Sequence, residues 1–250
     1  MKESKKHCFY LDESGYLLDE VVVTYQDIKK LFKKNTKRIP ALNYNCTMNA
    51  NFDAKFIDPE QKVYPASGTL EATNEWISKN LPYGYYGWFH HPFQFITDSD
   101  TAKIRYLLHS NTHTALNFIN LAIVISLLDD YGKGKLKAFY SYLGMKDNFK
   151  IFRISYPKTF SIGYSYQILL YVDEYTKYIH HVEFEAVNTD SDKDKYLSKV
   201  NIICDCELYT NKKPPRPTVL LPVNINYKAQ MFDGSQMEIK LSNISIKYKN

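Results

Sequence analysis

The stretch Val223–Tyr248, VNINYKAQMFDGSQMEIKLSNISIKY, carries the clearest structural instruction in this chain. Apolar and polar residues alternate on both sides of Asp233-Gly234. Asp-Gly between alternating runs is the strongest short-range signal for a β-hairpin. The alternation slips between Leu241 and Ile244, which predicts a bulge at Ser242-Asn243.

Working back from this hairpin, the period of two persists as far as Phe149. FKIFRISY alternates. In IGYSYQILLYV, one face takes Ile162, Tyr164, Tyr166, Ile168, Leu170 and Val172. Val200, Ile202, Cys204, Cys206 and Leu208 share a face in the same way. Between these runs, Asn211–Pro217 (NKKPPRP) reads as a stiff connection, because prolines donate nothing to a strand ladder. Residues 149–250 therefore read as about six mostly antiparallel strands.

The first 145 residues read differently. CFYLDESGYLLDEVVVTY suggests two short strands around a turn at Glu13-Ser14-Gly15. YQDIKKLFKKNTKR has helical spacing, with Ile28, Leu31 and Phe32 on one side. Lys29, Lys30, Lys33, Lys34, Lys37 and Arg38 crowd the other. GTLEATNEWISKNLP reads as a second helix with Thr69 as N-cap, Trp76 and Ile77 inward, and Pro82 beyond its end. A Gly-aromatic segment, YGYYGWF, follows. Ile104, Leu107 and Leu108 mark a third helix, and Leu116–Leu128 a fourth that stops near Gly132 and Gly134. The predicted fold class is α+β, with helices mainly in the first 145 residues and mostly antiparallel sheet in residues 149–250. The chain reads as a single α+β domain over 1–250. A composition shift near 145–150 separates a mixed, helical part, 1–148, from a β-rich part, 149–250.

Composition bounds the function. A 44% hydrophobic, 24% charged chain of 250 residues is globular and long enough to bury a core. Aromatics at 15%, led by 22 Tyr, favour sheet and half-buried surface. Net charge +5 permits an anionic partner without requiring one. Four Cys (Cys8, Cys46, Cys204 and Cys206) are too few for a disulfide scaffold. Cys204 and Cys206, alternating in a strand, read as buried thiols. The charged N-terminus lacks the apolar core of a signal peptide. The apolar run Leu116–Leu128, 13 residues, falls short of the roughly 18 that a membrane span needs. These features predict a soluble, intracellular (cytoplasmic) protein without a transmembrane segment.

The histidines are the natural place to look for chemistry. Phe89–Asp100, FHHPFQFITDSD, and Ile179–Asp192, IHHVEFEAVNTDSD, share a His pair and TDSD. Strand parity separates them: His91 joins Phe89, Phe93 and Phe95, whereas His180 joins Val182 and Phe184 and leaves His181 with Glu183 and Glu185. They are not two copies of one unit. His109 and His113, four apart on a helix, could share a metal with His90 or His91 and Asp98 or Asp100. Ser110 stands where a zincin needs its glutamate. A metal-dependent hydrolase is thus one alternative, although no metal or cofactor is required by any motif. Phe9–Gly15, FYLDESG, is similar to the strand-end DESG of some RNase H-like proteins, where an acid would hold Mg²⁺. It is also an ordinary turn.

The region 51–108 resembles the front half of SnoaL-like, NTF2-fold proteins. The points of likeness are FDAKFIDP, Gly68 opening a helix with Trp76, the pair His90-His91, and DSDTAKIR. That resemblance implies a cone of helices against a curved sheet, enclosing a pocket used by cyclases, dehydratases and isomerases or by binding members. It would place His90, His91, Asp98 and Asp100 at that pocket for acid–base work. The leading expectation is non-catalytic. It is an intracellular binding or assembly protein whose basic face, Lys29 to Arg38, meets a protein partner, nucleic acid or an anionic membrane surface, with self-association as another route.

Overall fold

The computed structural model describes residues 30–31, 34–35, 46–77, 85–90, 110–111, 115, 139–156, 165–188, 197–209 and 219–248. Among these, one sheet takes ten strands. They are β1 (Cys46–Ile57), β2 (Val63–Ile77), β3 (Tyr85–His90), β4 (Phe139–Lys146), β5 (Phe149–Tyr156), β6 (Ser165–Asp173), β7 (Ile179–Val187), β8 (Leu197–Tyr209), β9 (Val219–Met231) and β10 (Gln236–Tyr248). Their order is β3-β2-β1-β10-β9-β8-β7-β6-β5-β4, and every neighbouring pair is antiparallel. Every pair of consecutive strands lies side by side except β3 and β4, and the one pairing of non-consecutive strands is the seam where β1 meets β10. The seam puts the first and last strands in the middle of the sheet and leaves β3 and β4 at its edges.

One face of this sheet is apolar and buried. The other is polar and meets solvent, as antiparallel sheets allow. On β1 the buried set is Met48, Ala50, Phe52, Ala54 and Phe56, while Asn51 and Asp53 between them are exposed. The hairpin read from Asp233-Gly234 is present. Met231 and Ser235 close it, Gly234 sits at φ +88°, and the Asp233 carboxylate accepts from the Ser235 amide at 2.9 Å. The bulge is also where the slip in alternation put it. Between Asn49/Ser245 and Asn51/Ser242, β10 spends one residue more than β1, and Asn243 takes φ +53°.

The early part of the chain corrects the α+β expectation. Residues 46–57 and 63–77 are strands, and GTLEATNEWI lies within β2 rather than on a helix. Its real period is two. Ala66, Leu70 and Ala72 are buried, while Ser67, Thr69 and Glu71 point out. Pro65 is tolerated because β3 pairs β2 only from Ala72 onward, so β2 is an edge at that point. Gly68 and Trp76, which the SnoaL-like resemblance needs on a helix, are strand residues, and that reading is overturned here. Helical conformation among the described residues is confined to Lys30, Leu31, Lys34, Asn35, Ser110, Asn111 and Ala115. The readings over residues 1–29, the turn at Glu13–Gly15 among them, and those at Ile104–Leu108 and Leu116–Leu128 lie outside the described residues. The composition shift near 145–150 coincides with the β4–β5 turn, where Asp147 and Asn148 both have positive φ.

Candidate functional site

Register makes the buried face continuous. Following the pairings, a single row runs Ala66, Ala54, Ile239, Tyr227, Ile202, Phe184, Ile168, Ile154, Tyr140, one residue from each strand from β2 to β4. The adjacent row runs Gly68, Phe52, Leu241, Ile225, Cys204, Val182, Leu170, Phe152, Tyr142. The only hydrogen-bonding side chain at the centre of the first row is Tyr227. Large and small residues mix along the floor: Ala50, Ala54, Ala66 and Ala72 on β1 and β2 lie among Met48, Phe52, Phe56 and Leu70, and the strands beyond bury Ala186 and Ala229 among larger side chains.

Two described points tie other chain segments to this face. Asn35, fully buried, accepts from the Ile179 amide at 2.9 Å and donates to the carbonyls of Lys177 at 3.2 Å and Leu31 at 2.9 Å. The Tyr227 hydroxyl donates to Asn111 Oδ1 at 2.5 Å, and Ala115, one helical turn on, is fully buried as well. Both points use an uncharged amide, which satisfies buried polar groups without burying a charge. Sequence reasoning missed both. A signal existed for the first, since Asn35 follows Leu31 by four residues on the apolar side of the basic segment.

The outer face carries two polar features. On β6, β7 and β8, His181 Nδ1 lies 2.6 Å from Asp205 and Nε2 lies 3.5 Å from Glu183. The Tyr171 hydroxyl donates to Glu183 at 2.7 Å, and its ring meets the imidazole edge-on at 4.9 Å. The bond to Glu183, then burial and the carboxylate's charge, push the Tyr171 phenol up, away from any nucleophilic use near neutral pH. The two carboxylates occupy opposite nitrogens of one ring, so the three groups do not converge on a point. His181 therefore sits with Glu183, as strand parity requires. His180 is the extra residue of a β7 bulge and packs on Phe149 at 5.6 Å.

The second feature is an open groove of about 660 Å³ across β2, β1, β10 and β9. Glu238 lies between Lys55 at 2.8 Å and Lys228 at 3.2 Å. The hydrogen bond from Lys55, then that from Lys228, holds its carboxyl below the usual range. These ions mainly engage one another.

The residues singled out from the sequence fare as follows. His90 ends β3 opposite Ala72. His91, Asp98, Asp100, His109 and His113 lie outside the described residues, as do Lys29, Lys33, Lys37 and Arg38. Lys30 is exposed. Lys34 donates to the Thr176 carbonyl at 2.7 Å and lies 4.8 Å from the Tyr178 ring, so it is engaged with the β6–β7 turn. Asn35 beside it faces the sheet. The assembly role built on a free basic helix is corrected accordingly. Cys204 and Cys206 are buried free thiols on one face, as read. Among the described residues, no three His, Cys, Asp or Glu side chains are placed to share a metal ion, and the hydrolase reading gains no support. No helix among them is long and apolar enough to cross a membrane, which leaves membrane crossing by strands untouched.

No protein-family model matches the chain, and no curated protein matches it. Solved structures do. A LolA superfamily protein from Nitrosomonas europaea is 13% identical with a TM-score of 0.35, covering 92% of this chain and 95% of its own. A DUF1329 family protein from Desulfovibrio piger is 9% identical with a TM-score of 0.39, covering 89% and 93%. A domain from Vibrio parahaemolyticus, described as an outer membrane lipoprotein-sorting protein, is 10% identical with a TM-score of 0.32, covering 88% and 94%. The expected cytoplasmic, intracellular placement is not carried forward, because no described residue supports it. What those descriptions say of sorting belongs to those proteins.

Proposed function

We propose that the protein is a binding protein for an elongated apolar guest, the acyl chain of a lipid, held against the inner face of the sheet. One observation carries this reading: the unbroken apolar register rows, one residue per strand from β2 to β4, all on one side. A face of that extent must always be covered, by the chain's own segments or by a guest, because apolar surface left in water costs about 25 cal/mol per Å². Among the described residues, two buried neutral amides, Asn35 and Asn111, join other segments to the sheet, with an exposed bond from Lys34 beside the first. Ala54 and Ala66, paired small residues on β1 and β2, would leave room for a narrow chain against the sheet, and pockets lined mainly by apolar groups with a few polar ones are the usual form of a small-molecule site.

The test is direct. Solvent extraction of the purified protein followed by mass spectrometry is expected to release lipid, and a fluorescent fatty acid is expected to bind saturably. Ala66→Phe, filling the shallow end of the row, is expected to weaken that binding at least tenfold while the far-ultraviolet spectrum stays that of a sheet. A lipid-free extract together with no saturable binding of the probe would end the proposal. Separate incubation with neutral and anionic vesicles then tells whether the guest is taken from a membrane surface.

A further inference from the structure

We propose that Cys204 and Cys206 form a closable thiol pair, a site of reversible oxidation to an intrastrand disulfide in the floor of the sheet. Both thiols are buried, at 0% and 2% exposure, and their sulfurs lie 3.8 Å apart. Two side chains that share a face of a regular strand are normally too far apart to bond, and the surroundings of this pair relieve that restraint. Cys206 stands opposite Pro222, which has no amide to give to the ladder, and β9 inserts Val223 as a bulge between the partners of Asp205 and Cys206. The ladder is thus interrupted beside Cys206, where the strand must pucker for the sulfurs to close to about 2.05 Å.

The surroundings also select the chemistry. Val182 and Ile225 flank Cys204 in its register row, so products that keep a thiolate are penalised by burial. A bis-thiolate complex of a monovalent soft cation would leave a buried negative charge. A disulfide is neutral. The hydrogen bond with Cys204, together with burial, pushes the Cys206 thiol well up. The oxidant must be small enough to reach a buried sulfur, and a hydroperoxide fits. With hydrogen peroxide, one thiol takes oxygen to become a sulfenic acid, releasing water. The second sulfur then displaces the hydroxyl as water and forms the S–S bond. Two thiols and one peroxide give one disulfide and two waters. The small ring closed by a single intervening residue makes this bond readily reducible.

The experiment uses the full chain with Cys8→Ser and Cys46→Ser, so that no other thiol can pair. After peroxide treatment of the folded protein, denaturation and alkylation, peptide mass mapping is expected to find residues 204 and 206 in one peptide, unalkylated and lighter by two hydrogens. Dithiothreitol is expected to restore both alkylation sites. Cys204→Ser in the same background is expected to abolish the two-hydrogen loss. Full alkylation of both residues after peroxide treatment overturns the proposal, as does a disulfide found only between molecules. The first measurement needs no Cys204 variant, so it decides even if that variant fails to fold.

Discussion

Replacing Asn35 by Ala removes the buried part of one tie to the sheet. The Ile179 amide loses its acceptor at 2.9 Å, and the carbonyls of Lys177 and Leu31 lose a donor. A buried N–H left unpaired costs about 1–3 kcal/mol, and each lost neutral hydrogen bond about 0.5–1.5 kcal/mol. Part of the loss at the carbonyls is recoverable, because a carbonyl can find another donor. The sum is about 2–4 kcal/mol. For a chain of this size that lowers the thermal midpoint by roughly 5–15 °C. If the cover detaches before the sheet melts, an apolar dye will bind at temperatures where the far-ultraviolet signal is still native. Lys34→Ala, which loses only an exposed bond and a ring contact, provides the control and should cost at most about 1 kcal/mol. Asn35→Asp sharpens the test. It keeps an acceptor for Ile179 but sets a carboxylate against two carbonyls, so it should be tolerated better in acid than at neutral pH. A midpoint for Asn35→Ala within about 0.5 kcal/mol of the parent, with no gain in dye binding, would refute the assignment of Asn35 as a pin.

Three further outcomes follow from single residues. Gly234→Ala meets open space but must hold φ +88°, so urea melts should show a loss of about 1–2 kcal/mol with unchanged slope. Tyr227→Phe removes the hydroxyl given to Asn111 and keeps the ring; a loss of about 1 kcal/mol, with increased dye binding to the native protein, is expected by the same assay. Glu238→Gln tests the outer-face ions. A carboxyl held below its usual range contributes stability that is complete above the unfolded value, about 4.3, and lost as pH falls through the folded value. The wild type should therefore lose stability relative to the variant only below about pH 4.3. The difference should stay under about 1 kcal/mol, since Lys55 and Lys228 are largely in solvent. Denaturant melts from pH 3 to pH 7 read it.

The β-rich half is legible because its local signals agree with its tertiary environment. From Phe149 onward each strand has one buried and one solvated face, so the period of two is written into the residues. Asp233-Gly234 and the slip at Ser242-Asn243 mark a turn and a bulge through local chemistry alone. Where local and tertiary preferences disagree, the sequence misleads. β2 contains Leu70, Glu71, Ala72 and Glu75, all acceptable in a helix, and its strand state is decided by Cys46–Ile57, a partner that no local window contains. The β4–β5 hairpin escapes the periodicity reading, although Asp147-Asn148 suits a turn with two positive φ values. Asn35 cannot be recognised as a pin from its neighbours, because its partners, Lys177 and Ile179, lie far along the chain.

The two faces of the sheet also weigh differently in any account of function. Burying one aliphatic or aromatic side chain is worth about 1.5–3 kcal/mol, so a single register row of the inner face outweighs every exposed ion pair on the outer face, each worth about 0–1 kcal/mol. The His181 cluster and the Lys55–Glu238–Lys228 bridge can therefore be altered with little effect on the fold, and a ligand recognised there would have to supply its own desolvation. On the inner face the opposite holds. The inner face is buried, so whatever lies against it must present apolar surface to match the free energy of that burial. The seam between β1 and β10 places Ala54 and Ala66 in one register row with Tyr227 and its tie to Asn111, with Ile239 between them. Ala66, Ala54 and the Tyr227 hydroxyl thus lie within four neighbouring strands, which makes Tyr227 the first hydrogen-bonding side chain of that row counted from β2.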